Sequence, residues 1–93
     1  MTYTFDQYPV GSIVAPGETP YWITWLPDWS WTTCSATGDT LAEALADLQD
    51  VYNIVLQYYR DHKLDIPVPT TGPAAHELIL QSTREVQRFL TEE

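Results

Sequence analysis

The segment 21–45 constrains the fold most, because it predicts two strands and a helix in a fixed order. Residues 21–26 alternate and carry large side chains at both parities, which indicates a strand covered on both faces or one with a partner-binding outer face. Pro27-Asp28 predicts a turn. Residues 31–36 are rich in β-branched and aromatic side chains and predict a further strand, and Thr40 then opens a helix.

An extended segment precedes these elements. Residues 3–15 have strand-type composition, but Pro9 and Gly11 interrupt it, which favours an edge strand, a bulge or two short pieces. Residues 16–20 form a Pro- and Gly-rich turn. We therefore expect an α+β fold with a three-stranded antiparallel meander and one packed helix.

The first helix has a clear start signal. The run Thr40-Leu41-Ala42-Glu43 matches a capping box, in which the Thr side chain and the Glu side chain satisfy free backbone groups of the first turn. Apolar side chains then recur at helical spacing to about His62, which predicts an amphipathic helix. Its apolar positions are Leu41, Ala44, Leu45, Leu48, Val51, Tyr52, Val55 and Tyr59.

The remaining chain predicts a short extended segment and a second helix. Prolines in Ile66-Pro67-Val68-Pro69 require an extended backbone, which could add a short edge strand. Gly72-Pro73 opens a C-terminal helix with a narrower apolar stripe. We assign residues 1–69 to one α+β domain, and residues 70–93 to a helix that packs on it or mediates a homodimer.

Charge narrows the classes of partner. The net charge is −9, and no Lys or Arg occurs before Arg60. Binding to nucleic acid would need cations to neutralise phosphates, so we expect no direct nucleic-acid contact and favour a basic protein partner. Cys34 is the sole cysteine, which excludes an internal disulfide and is typical of the cytoplasm. We expect no membrane-spanning segment.

Catalytic and metal chemistry have little support. His62, His76 and Cys34 lack zinc-type spacing, so we expect no metal and no cofactor. Cys34, in a predicted strand, is interpreted as a small buried apolar residue. A carboxylate nuclease would need acids converging on metal ions, but the N-terminal acids have simpler interpretations as turn and helix-start residues. These acids are Asp6, Asp28, Asp39 and Glu43.

Three motifs in order resemble the HicB family over residues 3–69. They are the strand and turn from Tyr21 to Asp28, the helix start from Gly38 to Leu45, and the segment Ile66-Pro67-Val68-Pro69. The resemblance implies a partial ribonuclease H-like fold without the catalytic acids. It also implies an antitoxin that binds a small basic HicA-like toxin and blocks its RNA cleavage.

The chain departs from that family's pattern in three places. The segment before Gly38 is longer and contains Trp29 and Trp31. The C-terminal helix, with Arg84 and Arg88 among several acids, is too small for the DNA-binding domain of many family members. The strand expected after the first helix is short and interrupted by prolines, so the C-terminal helix could replace it.

From charge and expected exposure we predict an acidic, Trp-bearing contact surface. We expect the loop residue Trp29 to be difficult to bury, and exposed Trp residues are frequent interface anchors. The predicted contact residues are Asp28, Trp29, Trp31, Asp39, Glu43, Asp47 and Asp50. Two alternatives remain open: an acidic inhibitor that occupies a nucleic-acid site on another protein, and a nuclease remnant.

Overall fold

The structure, a computed structural model, describes residues 3–91. Three strands form one antiparallel sheet in the order β1-β2-β3, joined as a meander. Their bounds are Gly11–Ala15 (β1), Tyr21–Trp25 (β2) and Ser35–Gly38 (β3), and the helices are Leu41–Asp61 (α1) and Gly72–Thr91 (α2). The predicted α+β class with a three-stranded meander and a packed helix is confirmed. Glu92 and Glu93, counted with the C-terminal helix above, lie outside the described residues.

The predicted start of the third strand, at residue 31, is wrong. β3 begins at Ser35, and residues 31–33 form a turn. Ser30 has a φ of 74°, and its carbonyl oxygen accepts the backbone N–H of Thr33 at 3.1 Å and that of Cys34 at 3.0 Å. These hydrogen bonds hold residues 31–33 in a turn although Thr favours strands. The β preference of a residue is small and depends on its surroundings, so the turn contacts decide the local structure.

The extended segment before β1 also contains a turn. Residues Phe5–Gln7 form a 3-10 turn, and only Gly11–Ala15 of the predicted 3–15 region pairs with β2. The predicted interruption near Pro9 and Gly11 is confirmed, since the strand starts at Gly11.

The start and length of α1 agree with the prediction, but only the Thr40 half of the predicted capping box forms, because Glu43 contacts the Thr40 hydroxyl and not its backbone N–H. The Thr40 hydroxyl oxygen accepts the backbone N–H of Glu43 at 3.1 Å, and the Thr40 hydroxyl donates to the Glu43 carboxylate at 3.3 Å. This cap satisfies one of the free donors of the first turn. The helix continues to Asp61, one residue before the predicted end.

The two helices cover opposite faces of the sheet. Thr24 and Trp25 are consecutive residues of β2, so their side chains point to opposite faces. The Thr24 hydroxyl donates to the Ala44 carbonyl of α1 at 3.1 Å, whereas the Trp25 indole N–H donates to the Ser82 hydroxyl of α2 at 2.8 Å. β2 is therefore covered on both faces, one of the two arrangements that its large side chains predicted.

The principal core lies beneath α1. It combines residues from the N-terminal segment, the residue directly after β2, the loop before β3 and the inner side of the helix. Its buried members are Tyr8, Leu26, Trp29, Cys34, Leu48 and Tyr52. Trp25, Ala15 and Val86 are buried on the other face, where α2 packs.

The segment between the helices is held by hydrogen bonds to the side chains of Tyr8 and Asp28. Residues 64–71 form neither helix nor strand, so the edge strand considered for Ile66–Pro69 does not form. The Tyr8 hydroxyl donates to the Pro67 carbonyl at 2.6 Å.

Within residues 3–91, neither helix has the length and apolar character required to cross a membrane.

Candidate partner-binding surface

The predicted acidic contacts form a group along the first half of α1. Asp39 precedes the helix, and Glu43, Asp47 and Asp50 follow at spacings that put them on the outer side of it. All four side chains are exposed, whereas Ala44 and Leu48 between them are buried. Glu43 also contributes to the helix cap through Thr40. This group can attract a basic surface because no Lys or Arg lies in this part of the chain.

Trp29 is not part of the surface, and the expectation that it is exposed is wrong. Its side chain is 3% exposed and packs edge-on against Tyr52 at 5.7 Å and Tyr59 at 4.9 Å between ring centroids. The loop closes on itself because Leu26 N–H donates to the Cys34 carbonyl at 3.1 Å. This closure turns the Trp29 ring beneath α1, a tertiary effect that loop composition does not reveal.

The Trp29 indole nitrogen is an unusual feature of this core. Its N–H is buried and has no partner of acceptable hydrogen-bond geometry among the described residues. Burial raises the pKa of the neighbouring Tyr8 hydroxyl, and the Trp29 side chain acts in the opposite direction and lowers it. A buried unsatisfied donor lowers the stability of the fold, because its hydrogen bonds to water are lost without replacement.

Asp28 is half-buried and already engaged in a structural contact. Its carboxylate accepts the Thr70 backbone N–H at 3.1 Å and the Thr70 hydroxyl at 2.5 Å. These bonds attach the segment that leads into α2 to the loop after β2. The sequence predicted a contact with a partner for Asp28, and the structure gives this carboxylate an intramolecular partner.

Trp31 lies in a different part of the molecule from the acids of α1. It is half-buried, and its ring packs against Phe89 of α2, with 4.9 Å between ring centroids. Since α2 covers the face of the sheet opposite to α1, the structure does not bring Trp31 together with Asp47 and Asp50. The predicted contact residues therefore do not form one surface; the exposed acids do.

Two exposed apolar residues extend the acidic side of α1, and sequence reasoning missed them. Ile54 is 70% exposed and Tyr58 is 54% exposed. They follow Asp50 at spacings of four residues, and the exposed Asp61 follows Tyr58 three residues later. The sequence could have revealed them, because both are apolar residues that lie outside the apolar stripe predicted to be the buried side of the helix.

Nucleophilic and metal chemistry find no support on this surface. Cys34 is fully buried, as predicted, and burial raises the pKa of its thiol from 9.0 to about 11. A neutral, inaccessible thiol is a poor nucleophile. Within residues 3–91, no three His, Cys, Asp or Glu side chains are grouped so that they could hold a metal ion.

The buried ionisable groups predict loss of stability at alkaline pH. Burial, and then the neighbouring Tyr52, raise the pKa of Tyr8 from 10.0 to about 12, and burial also raises the pKa values of Tyr52 and Cys34. The unfolded chain releases these protons at lower pH than the folded chain does. The free energy of unfolding should therefore be highest below pH 9 and fall as the pH rises towards 12. Urea denaturation at a series of pH values measures this change.

Cys34→Ala is the matched control for that measurement. It removes the thiol without removing a hydrogen bond and should reduce the slope of stability against pH between 9 and about 11. An identical slope in the variant would show that the thiol does not contribute.

Comparisons of the chain with protein-family models, with curated proteins and with solved structures find no match.

Proposed function

We propose that this chain is a HicB-like, antitoxin-type protein of the cytoplasm that neutralises a small basic HicA-like RNA-cleaving toxin by direct binding. The observation that carries the proposal is the run of exposed acids at the start and on the outer side of α1. A toxin that binds RNA needs a basic surface, and a protein with the opposite charge can occupy that surface and exclude the RNA.

The distribution of charge supports binding rather than catalysis. Asp47 and Asp50 are exposed, and the cation of α1, Arg60, lies two residues after Tyr58 and so points to another side of the helix. Exposed acids in this arrangement attract a basic partner from a distance, which increases the association rate more than the final affinity.

The order of elements supports the family resemblance on which the proposal also depends. A meander of three antiparallel strands followed directly by a capped helix is the arrangement that the HicB resemblance implies. The resemblance is carried by Tyr21–Asp28, Gly38–Leu45 and Ile66–Pro69. Use of the C-terminal helix in a homodimer remains a prediction; Ser82 and Val86 of that helix are buried in the single chain.

The first test is capture of the partner followed by reconstitution. The tagged chain is used to isolate proteins from its source cells, and bound proteins are eluted at high salt. The proposal expects one small, strongly basic protein in equimolar amount that cleaves RNA when alone and does not cleave it with the chain present. A captured RNA-cleaving protein that stays active with excess chain would contradict neutralisation. A larger nucleic-acid-handling protein would favour the alternative of an inhibitor that occupies a nucleic-acid site.

Reversing the charge of α1 should slow association with that basic protein. In Asp47→Lys/Asp50→Lys, the on-rate at low salt should fall about tenfold, and its dependence on salt should become weaker, because these charges no longer attract the partner. Stopped-flow measurements at several salt concentrations give both quantities.

Glu18→Lys/Asp6→Lys makes the same change in net charge at exposed positions outside α1. This control should retain more of the on-rate. Equal losses in the two double variants would assign the effect to net charge and not to the α1 surface.

A further inference from the structure

One side of α1 combines exposed acidic side chains with exposed apolar side chains. The exposed side chains Glu43, Asp47, Asp50, Ile54, Tyr58 and Asp61 recur every three or four residues and form a single stripe. At a rise of about 1.5 Å per residue, the stripe is about 27 Å long. Its first half is acidic, and its second half contains two large apolar side chains followed by another acid.

Within residues 3–91, Ile54 and Tyr58 stay largely exposed, at 70% and 54%. α2 lies on the opposite face of the sheet, where Ser82 contacts Trp25, so it cannot cover Ile54 or Tyr58. Leaving these side chains in water has a free-energy cost that a polar residue would avoid. A contact that removes them from water would recover that free energy.

Tyr58 is also held in position. Its ring stacks on His62 with centroids 4.1 Å apart and planes at 28°. The His62 ring nitrogen Nδ1 lies 2.9 Å from the Tyr58 carbonyl oxygen, which fixes the imidazole against the end of the helix. An aromatic ring that is ordered before binding loses little conformational entropy on binding, and such rings are frequent anchors of protein interfaces.

From this stripe we propose that α1 binds an amphipathic helix of a basic protein, with Ile54 and Tyr58 as apolar anchors and the flanking acids paired with Lys and Arg. The long, narrow shape matches a helix lying along α1, and the charge complements a basic partner. This inference deepens the proposed function and rests on it, because a basic protein partner is assumed there. It assigns most of the affinity for this helix to Ile54 and Tyr58, in the second half of α1.

The test uses a defined probe, so it does not depend on isolating the natural partner. The isotope-labelled full chain is titrated with a short Leu/Lys amphipathic helical peptide, and backbone amide shifts are followed by NMR. A Ser/Lys peptide of equal charge separates apolar docking from charge attraction. The largest shifts should lie between Asp50 and Asp61, and the Ser/Lys peptide should bind more weakly.

Variants identify the anchors. Ile54→Ser and Tyr58→Ser should each weaken binding of the Leu/Lys peptide about tenfold. Leu80→Ser, at an exposed apolar residue of α2, is the matched control and should bind as the unmodified chain does. Unchanged affinity in both α1 variants, or shifts centred on α2 or β1, would overturn the inference.

The captured partner separates this inference from the proposed function. If the basic protein is neutralised equally well by Ile54→Ser and Tyr58→Ser, the proposed function stands and the anchors are wrong. If no basic protein is captured but the peptide binds at Ile54 and Tyr58 as described, the docking surface stands and the antitoxin function fails.

Discussion

Replacing Trp29 with alanine is expected to lower the free energy of unfolding by about 3–5 kcal/mol, because it leaves a cavity among the rings of the principal core. The ring is 3% exposed and lies within 6 Å, centroid to centroid, of Tyr8, Tyr52 and Tyr59. Small domains are stable by about 5–15 kcal/mol, so this loss is a large part of the total. Urea denaturation of both proteins at neutral pH measures it.

Trp29→Phe separates packing from the unsatisfied indole nitrogen. Phenylalanine retains a ring in the core and removes the buried N–H, which has no hydrogen-bond partner within residues 3–91, so the loss should be only about 1 kcal/mol. Trp25→Phe is the matched comparison and should cost more, because the Trp25 N–H donates to Ser82 at 2.8 Å. A Trp29→Ala variant as stable as the unmodified chain would show that Trp29 is at the surface.

Introducing a side chain at Gly11 is expected to displace α2 from the sheet. A Cβ atom at this position would overlap the indole ring of Trp25, which is fully buried beneath α2. Gly11→Val should therefore destabilise the fold by about 3 kcal/mol, since the ring must move and lose its bond to Ser82. Backbone hydrogen exchange measures this release: in Gly11→Val, exchange should become faster in residues 72–91 of α2 and change less in α1.

The neighbouring position provides the control for that substitution. Ser12 lies on the same strand and is exposed, so Ser12→Val should change stability by no more than about 0.5 kcal/mol. If Gly11→Val leaves the exchange rates of α2 unchanged, contact with Trp25 does not hold α2 on the sheet.

Residues of the candidate surface differ in how far the sequence could predict them. The exposure of Asp47 and Asp50 was predictable, because the apolar residues of an amphipathic helix mark its buried side and these acids lie on the other side. Trp29 and Asp28 were not, because their burial depends on contacts with Tyr59 and Thr70, which are distant in sequence. Ile54 and Tyr58 could have been recognised as apolar residues on the polar side of α1, a position that the pattern of buried residues does not explain.

The sequence by itself determined the features that depend on near neighbours along the chain. The cap at Thr40, the length of α1, the strand at Tyr21–Trp25 and the Pro- and Gly-rich turn before it all follow from local hydrogen bonding and periodicity. The acidic character of the first half of the chain is likewise fixed by composition. These features need no knowledge of which elements pack together.

Tertiary structure alone decided which surfaces remain free. α2 covers one face of the sheet through Ser82, α1 covers the other through Ala44, and loop closure brings Trp29 into the core. Burial is a property of the whole arrangement, because a side chain loses contact with water only when a distant segment packs against it. For that reason the acids on the outer side of α1 are exposed to solvent, whereas Trp29 of the loop is buried.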